Sequence, residues 1–365
     1  MQIKRFGFLA FLLAFSFSWA ANASNQHGDE HGHHEEQGEK SIKEQIAEVK
    51  EHHLKDSHSF HLWGDHASGT SVEFPLPVIL WDEGELHFFM SSAFHHSENQ
   101  TVESKGSYFR LYHSKIYKTD AEGTIHYDEE HHATNAKPID FSITKTVFST
   151  ILVGLLLLWL FGSVAKKYRK DLVPRGIAKF MEPLVILVRD DIAKPNIGEK
   201  DYKRFMPYLL TVFFFIWMAN MIGQTPLGIN ITGNIAVTLG LALITFFITQ
   251  FSGRKDYWAH IFWMPGVPYV MRLVLMPIEI LGMFVKPFSL MIRLYANILA
   301  GHVVIMSIIG LIFIFGAWGA KGAFFGLTFF LSIIELLVAF LQAYIFTMLS
   351  ALYFGSAVEV HDEHH

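Results

Sequence analysis

From Leu273 to Trp318 the chain runs for about 46 residues with apolar side chains dominating, a length that would reach roughly 69 Å as one helix. A second run, Phe324 to Phe354, is about 31 residues long. The hydrocarbon core of a bilayer is only about 30 Å thick and is crossed by about 20 residues. Two successive helices too long to stand upright therefore predict a tilted hairpin with a broad face. Shorter apolar runs precede them at Val147–Ala165, Pro207–Gly223 and Ile235–Phe251. The expected fold is an all-α polytopic membrane protein of about five spans, the last two long and tilted.

Composition agrees: 51% of the 365 residues are hydrophobic, 17% are charged, and the mean hydropathy is +0.28. A typical soluble domain carries about 25% charged residues. The net charge of −5 argues against a nucleic-acid partner. There is no cysteine, which removes disulfides, thiolate metal sites and cysteine nucleophiles.

The polar parts lie towards the beginning. Lys4 and Arg5, the apolar run Phe6–Trp19 and the small residues Ala21-Asn22-Ala23 read as a signal peptide over residues 1–23. Residues 24–58 are rich in histidine and acid and are expected to be disordered. Residues 59–140 contain the runs Val72-Glu73-Phe74, Leu86-His87-Phe88-Phe89 and Tyr108-Phe109-Arg110-Leu111-Tyr112, which read as strands of a small β-rich extracytoplasmic domain. The membrane domain is expected over 141–355, followed by a polar tail, 356–365. Lys166, Lys167, Arg169 and Lys170 after the first span, and Arg254-Lys255 after the third, set those ends in the cytoplasm. The mature N-terminus is then extracytoplasmic and the C-terminus cytoplasmic. Arg175–Asp191, with Phe180, Leu184, Val185 and Val188 among charges, reads as an amphipathic helix at the cytoplasmic interface.

The long helices carry ionisable groups, and a charge at the bilayer centre costs ~2.5–3.5 kcal/mol on insertion scales. At 100° per residue, Glu279, Ser289, Arg293 and Asn297 fall within about 40° of one line. Glu335 and Gln342 share a face of the final helix. His302 lies about 180° from Arg293, which makes Glu335 its expected neighbour. Ala296, Ala300 and Gly301 would let another helix approach Arg293 closely. The chain offers no spare carboxylate there, and guanidinium stays charged at physiological pH. The expected counter-charge is a carboxylate on a membrane helix of another subunit. Plainer readings stand beside this one: a snorkelling arginine, a structural His302–Glu335 pair, Asn297 and Gln342 as hydrogen-bonding glue, and a solvated Glu279.

These residues carry a resemblance. Lys286-Pro287-Phe288-Ser289-Leu290-Met291-Ile292-Arg293-Leu294-Tyr295-Ala296-Asn297-Ile298-Leu299-Ala300-Gly301-His302 resembles a signature of subunit a of the rotary F-type ATP synthase, K-P-x-S-L-x-x-R-L-x-x-N-x-x-A-G. Leu341-Gln342-Ala343-Tyr344-Ile345-Phe346 matches its second signature, and Pro277-Ile278-Glu279 and Asn220 look like further family positions. The resemblance covers about Ser142–Phe354, and the leader looks like the N-terminal extension of some bacterial lineages.

The resemblance implies a static, non-catalytic subunit of the membrane sector in a bacterial inner membrane, without a cofactor. Its partners would be a ring of c subunits, each with a mid-membrane carboxylate, the b subunits of the peripheral stalk, and the rest of the complex. Arg293 would be the essential arginine, with Ser289, Asn297 and Gln342 beside it. Glu335 and His302 would serve the outer half-channel and Glu279 the cytoplasmic exit. Some bacterial members carry the acid at the first position of that pair and the histidine at the second; this chain has the reverse.

Two other classes compete. Sixteen histidines lie between His27 and His132, and the doublets His33-His34, His52-His53, His95-His96 and His131-His132 suggest weak metal binding or a metal transporter. A fixed arginine at the centre would repel a divalent cation. A structural anchor would explain the spans but leave Arg293 and Glu335 without purpose.

Overall fold

In the computed structural model, the described residues are 56–63, 72–95, 101–112, 114–128, 133–168, 176–225, 229–263, 268–315 and 317–359. The expected signal peptide, most of the histidine-rich segment and the doublets His33-His34, His52-His53 and His131-His132 lie outside them, as does His96. The chain divides into two compact units, one holding residues 1–151 with 225–229, the other the remainder.

Among its described residues, the first unit contains three small antiparallel sheets. Strands β1 (Ser59–Trp63) and β2 (Val72–Pro75) pair; β3 (Pro77–Asp82) lies between β4 (Glu85–Met90) and β8 (Ile139–Asp140); β6 (Ser107–Tyr112) lies between β5 (Thr101–Ser104) and β7 (Lys115–Thr119). The β3–β4 and β5–β6 hairpins turn on two residues each. Glu83-Gly84 and Lys105-Gly106 both have positive φ at each position, the type I′ conformation whose twist matches the flanking strands. Alternation then sorts the side chains. Val78 and Leu80 of β3 pack with Phe94, on the short helix α1 (Ser92–His95), against Phe109 of β6 and Ile116 of β7. Near the sheet's end His58 Nε2 meets Asp140 Oδ2 at 2.9 Å. Burial pushes the Asp140 carboxyl up, but hydrogen bonds from His58 and Ser142 outweigh it and hold the group below its ordinary value of 3.8.

The second unit is helical. The helices are α2 (Lys145–Tyr168, begun in the first unit), α3 (Ile177–Ile186), a π-helical stretch (Leu187–Ala193), α4 (Lys194–Ile197), α5 (Tyr202–Gly223), α6 (Ile235–Ser252), α7 (Lys255–Trp263), α8 (Tyr269–Ile314) and α9 (Trp318–Val358). Five of them, α2, α5, α6, α8 and α9, are long and apolar enough to cross a membrane. The final pair differs from the runs read in the sequence: α8 keeps a length of 46 residues but begins at Tyr269, and α9 has 41 residues rather than about 31. Phe315 and Ala317 are extended, so the chain turns before Trp318, which begins α9 instead of ending α8. Hydropathy sees through such a turn because its residues are apolar too. Pro277 and Pro287 sit inside α8, each removing one backbone donor, which membrane helices tolerate.

The segment expected to be amphipathic packs one side against the protein. Its buried side runs through Ala178, Met181, Val188 and Ile192. Phe180 is exposed instead, its ring stacked on Trp217. At 100° per residue the four buried residues fall on one side of the helix and Phe180 on the other, and within the π-helical turn the Lys194 N–H reaches the Arg189 carbonyl. Arg189 and Lys194 both hold Asp190, at 2.8 Å each, and keep its carboxyl well below the usual carboxylate range.

Aromatic rings join the long helices. Phe354 of α9 stacks on Phe205 of α5 at 4.8 Å, Phe340 meets Phe213 and Trp217 edge-on, and Phe284 of α8 packs on Phe246 of α6. The α9 end is anchored further. The Arg254 N–H donates to the Ala357 carbonyl (2.9 Å), and its guanidinium pairs with Asp201 (2.9 Å). Most buried hydroxyls return hydrogen bonds to their own helix, as Thr249 does to Thr245, Thr347 to Ala343 and Ser350 to Phe346. Polar groups left over after this internal satisfaction are few.

Candidate functional site

Helix α8 has two opposed sides. Leu290, Leu294 and Ile298, four residues apart, are buried against the rest of the unit. Ser289, Arg293 and Asn297 are exposed on the other side, in the register that their spacing requires. Arg293 has no ion-pair partner among the described residues. Ala296 and Ala300 share its open side. Gly301 does not: it faces α9, where a Cβ would stand 3.1 Å from Glu335 Oε1. Its small size serves the carboxyl rather than a helix approaching the arginine, because eight residues turn it about 80° away from Arg293.

Glu335 and Gln342 are both buried on α9, two turns apart. The Glu335 Oε1 atom has no hydrogen-bond partner among the described residues and lies 3.5 Å from His302 Nδ1, the other side chain being largely buried as well. A buried, unsatisfied carboxyl oxygen is costly, and the hydroxyls of the same helix show that satisfaction was available locally. The structure thus brings His302 and Glu335 together, as their helical phase requires.

Asn220, near the end of α5, is buried and accepts a hydrogen bond from the Thr232 hydroxyl, with its Nδ2 unpartnered among the described residues. Thr232 was missed in the sequence. Its signal is slight, a threonine just ahead of the Asn234 side chain that caps α6 by accepting from the Ala236 N–H at 2.9 Å. Glu279 lies partly buried on α8 beside a second group with no sequence signal. Tyr257 of α7 shares a hydrogen bond with Gln250 (3.3 Å) and packs near Ile280 and Met283 of α8. Burial pushes its phenol up, the Gln250 contact works the other way, and the Glu279 charge adds to the rise. Glu279 is thus set apart from the His302–Glu335 pair by more than five turns of α8 on the Arg293 side.

Among the described residues no three histidine, aspartate or glutamate side chains gather as a metal site, and the metal-transport alternative finds no support. His95 ends α1.

Comparison with known proteins is consistent with this geometry. Residues 147–355 match the ATP synthase A chain family, and residues 49–141 match a domain of unknown function (DUF8433). Proteins named ATP synthase subunit a are similar over most of the helical region. That of Chloroherpeton thalassium is 46% identical over 233 residues, 62% of this chain and 69% of the relative. That of Chlorobium phaeobacteroides is 46% identical over 235 residues, 61% and 68% of the two chains. That of Myxococcus xanthus is 43% identical over 235 residues, 62% and 77%. With the family match covering more than half of its 365 residues, including both long helices almost entire, the chain belongs to the ATP synthase A chain family.

Proposed function

We propose that Arg293 separates two proton half-channels along α8 and α9, and that a rotating ring of small subunits, each with a mid-membrane carboxylate, carries protons from one to the other. Family membership makes the chain a non-catalytic, proton-translocating subunit in the membrane sector of a bacterial F-type ATP synthase. The observation that carries the finer reading is the open side of α8, where Arg293 stands without a carboxylate among the described residues.

A proton arriving from the outer side passes Glu335 and His302, with Asn220 and Gln342 as polar company, and neutralises a ring carboxylate. Neutral, that group rotates into lipid without the cost of a buried charge. On return it releases the proton towards Glu279 and the cytoplasm. Arg293 attracts the bared carboxylate, and its fixed charge blocks direct passage of a proton between the two paths. Each elementary charge that crosses supplies ~2.3 kcal/mol per 100 mV. Contacts with the b subunits, the cleaved signal over residues 1–23, the domain limits set out above and an extracytoplasmic mature N-terminus with a cytoplasmic C-terminus belong to the same proposal. The basic residues after the first and third spans support that orientation.

The test is Arg293→Ala in vesicles carrying the whole complex. The expected result is loss of proton-driven ATP synthesis with the membrane sector still assembled; synthesis at the parent rate overturns the role.

A further inference from the structure

The β3–β4–β8 sheet has one face in the core of its unit and another that nothing among the described residues covers. On that second face Trp81 pairs with Leu86 and Ile139 across the strands, and Phe88 and Met90 follow along β4. Phe141, whose N–H donates to the Ile79 carbonyl, extends it. All six are exposed, Phe88 by 65% and Phe141 by 64%. A contiguous apolar patch of this kind marks a membrane or protein contact.

The covalent path indicates which. Only four residues separate Asp140 from Lys145, the first residue of α2, a reach of at most ~18 Å if extended. That connection is not a loose tether. The Ile143 N–H donates to Pro77, the Lys145 N–H to the Ser57 carbonyl and the Thr146 N–H to Asp56 Oδ1, and the Phe148 ring meets Phe60 and Phe74 at 5.7 and 5.9 Å. The apolar outer side of α2 begins at once, with Val147 and Ile151 exposed. A sheet held this close to the start of a membrane helix lies at the depth of the headgroup layer, roughly 5–7 Å thick on each side of the hydrocarbon. Tryptophan and other aromatic residues are favoured at that level. The acidic residues Glu83 and Glu85 stand at the hairpin tip, on the rim of the patch, and none of the six side chains within it is charged.

We propose that the Trp81–Phe88–Phe141 face beds into the lipid interface, so that the β-rich unit lies on the membrane as a monotopic platform at the start of the first span. Glu103, on β5, is the reference position: its neighbours Val102 and Phe109 face the core, so its own side chain points to the opposite outer surface.

The chain has no cysteine, so single-cysteine variants need no prior replacement. The experiment places a nitroxide on Phe88→Cys or Glu103→Cys in the whole complex, reconstituted in phosphatidylethanolamine–phosphatidylglycerol vesicles. The complex with the unaltered chain, treated identically, gives the background. Collision with oxygen is then compared with collision with a water-soluble nickel chelate. The expected result is oxygen in excess at position 88 and the chelate in excess at position 103. Free access of the chelate to position 88 overturns the proposal. So does protection of position 88 from both reagents, which would mean that a protein surface covers the face. Should Phe88→Cys fail to assemble, Leu86→Cys reads the same face.

Discussion

Glu335 presents Oε1 to His302 Nδ1 at 3.5 Å, and the bare backbone of Gly301 is what admits the carboxyl between the two long helices. A methyl group at position 301 would stand 3.1 Å from that oxygen, tighter than ordinary van der Waals contact, and Glu335 would have to move by a few tenths of an ångström. Gly301→Ala is therefore expected to lower proton flux while leaving the complex assembled, with proton pumping by inverted vesicles as the measurement. Parent-like pumping would remove Gly301 from any role in placing the pair.

Direct changes to the pair should act more strongly. Glu335→Gln and His302→Ala are each expected to slow passive proton flux several-fold, because each removes one protonatable station from a buried path. Exchanging the two residues keeps one acid and one histidine together and should be milder than either single change. Parent flux through Glu335→Gln rules out a relay at this place.

Much of this arrangement was legible in the chain. Spans follow from length and hydropathy, and the phase of Arg293 against His302 follows from 100° per residue over nine residues, which is why the pairing of His302 with Glu335 could be anticipated. Trp318 was assigned to the wrong helix because an apolar turn looks like an apolar helix to a hydropathy count. Gly301 was credited to the arginine because small residues near a charge suggest close approach, whereas which neighbour profits depends on packing between α8 and α9. Thr232 and Tyr257 left no trace, since a single hydroxyl acquires its meaning only from what the fold places beside it.

Thr232 gives the next expectation. Its hydroxyl donates to Asn220 Oδ1 in a site where both residues are buried. Thr232→Val keeps the shape and strips the donor, which leaves the amide oxygen unpaired as well as its Nδ2. Such a loss costs about 1–3 kcal/mol. A lower melting temperature of the membrane sector is expected, accompanied by reduced proton flux. Unchanged values of both would show that the pair is neither structural nor part of the path.

Gly355 separates packing from function. On α9 its missing side chain makes room for the Asn196 carbonyl of α4, onto which a built Cβ would fall directly. Backbone cannot swing aside like the end of a flexible side chain, so Gly355→Ala is expected to destabilise by about 1–3 kcal/mol, as overpacking does. Gly326, on the same helix, has nothing within 4 Å of its Cβ position. Gly326→Ala should be neutral or slightly stabilising, since alanine is the better helix former. Thermal denaturation of the two variants side by side is the check, and equal melting temperatures would contradict the close approach of α4 to α9.

The β-rich unit should respond to acid through Asp140. Its carboxyl, held below 3.8 in the folded chain by His58 and Ser142 despite burial, binds protons more readily once the chain unfolds. The resulting stabilisation is present in full above the ordinary carboxylate value and is lost as pH falls through the lower folded one. Pepsin, which acts in that range, is expected to cleave the unit faster as the pH drops below about 4. In Asp140→Asn the ionised partner of His58 is absent at every pH, so the variant should be cleaved faster than the parent near pH 4, with the two rates converging as the parent carboxyl protonates. A constant ratio of the two rates across the range would show that ionised Asp140 does not hold β8 to the sheet.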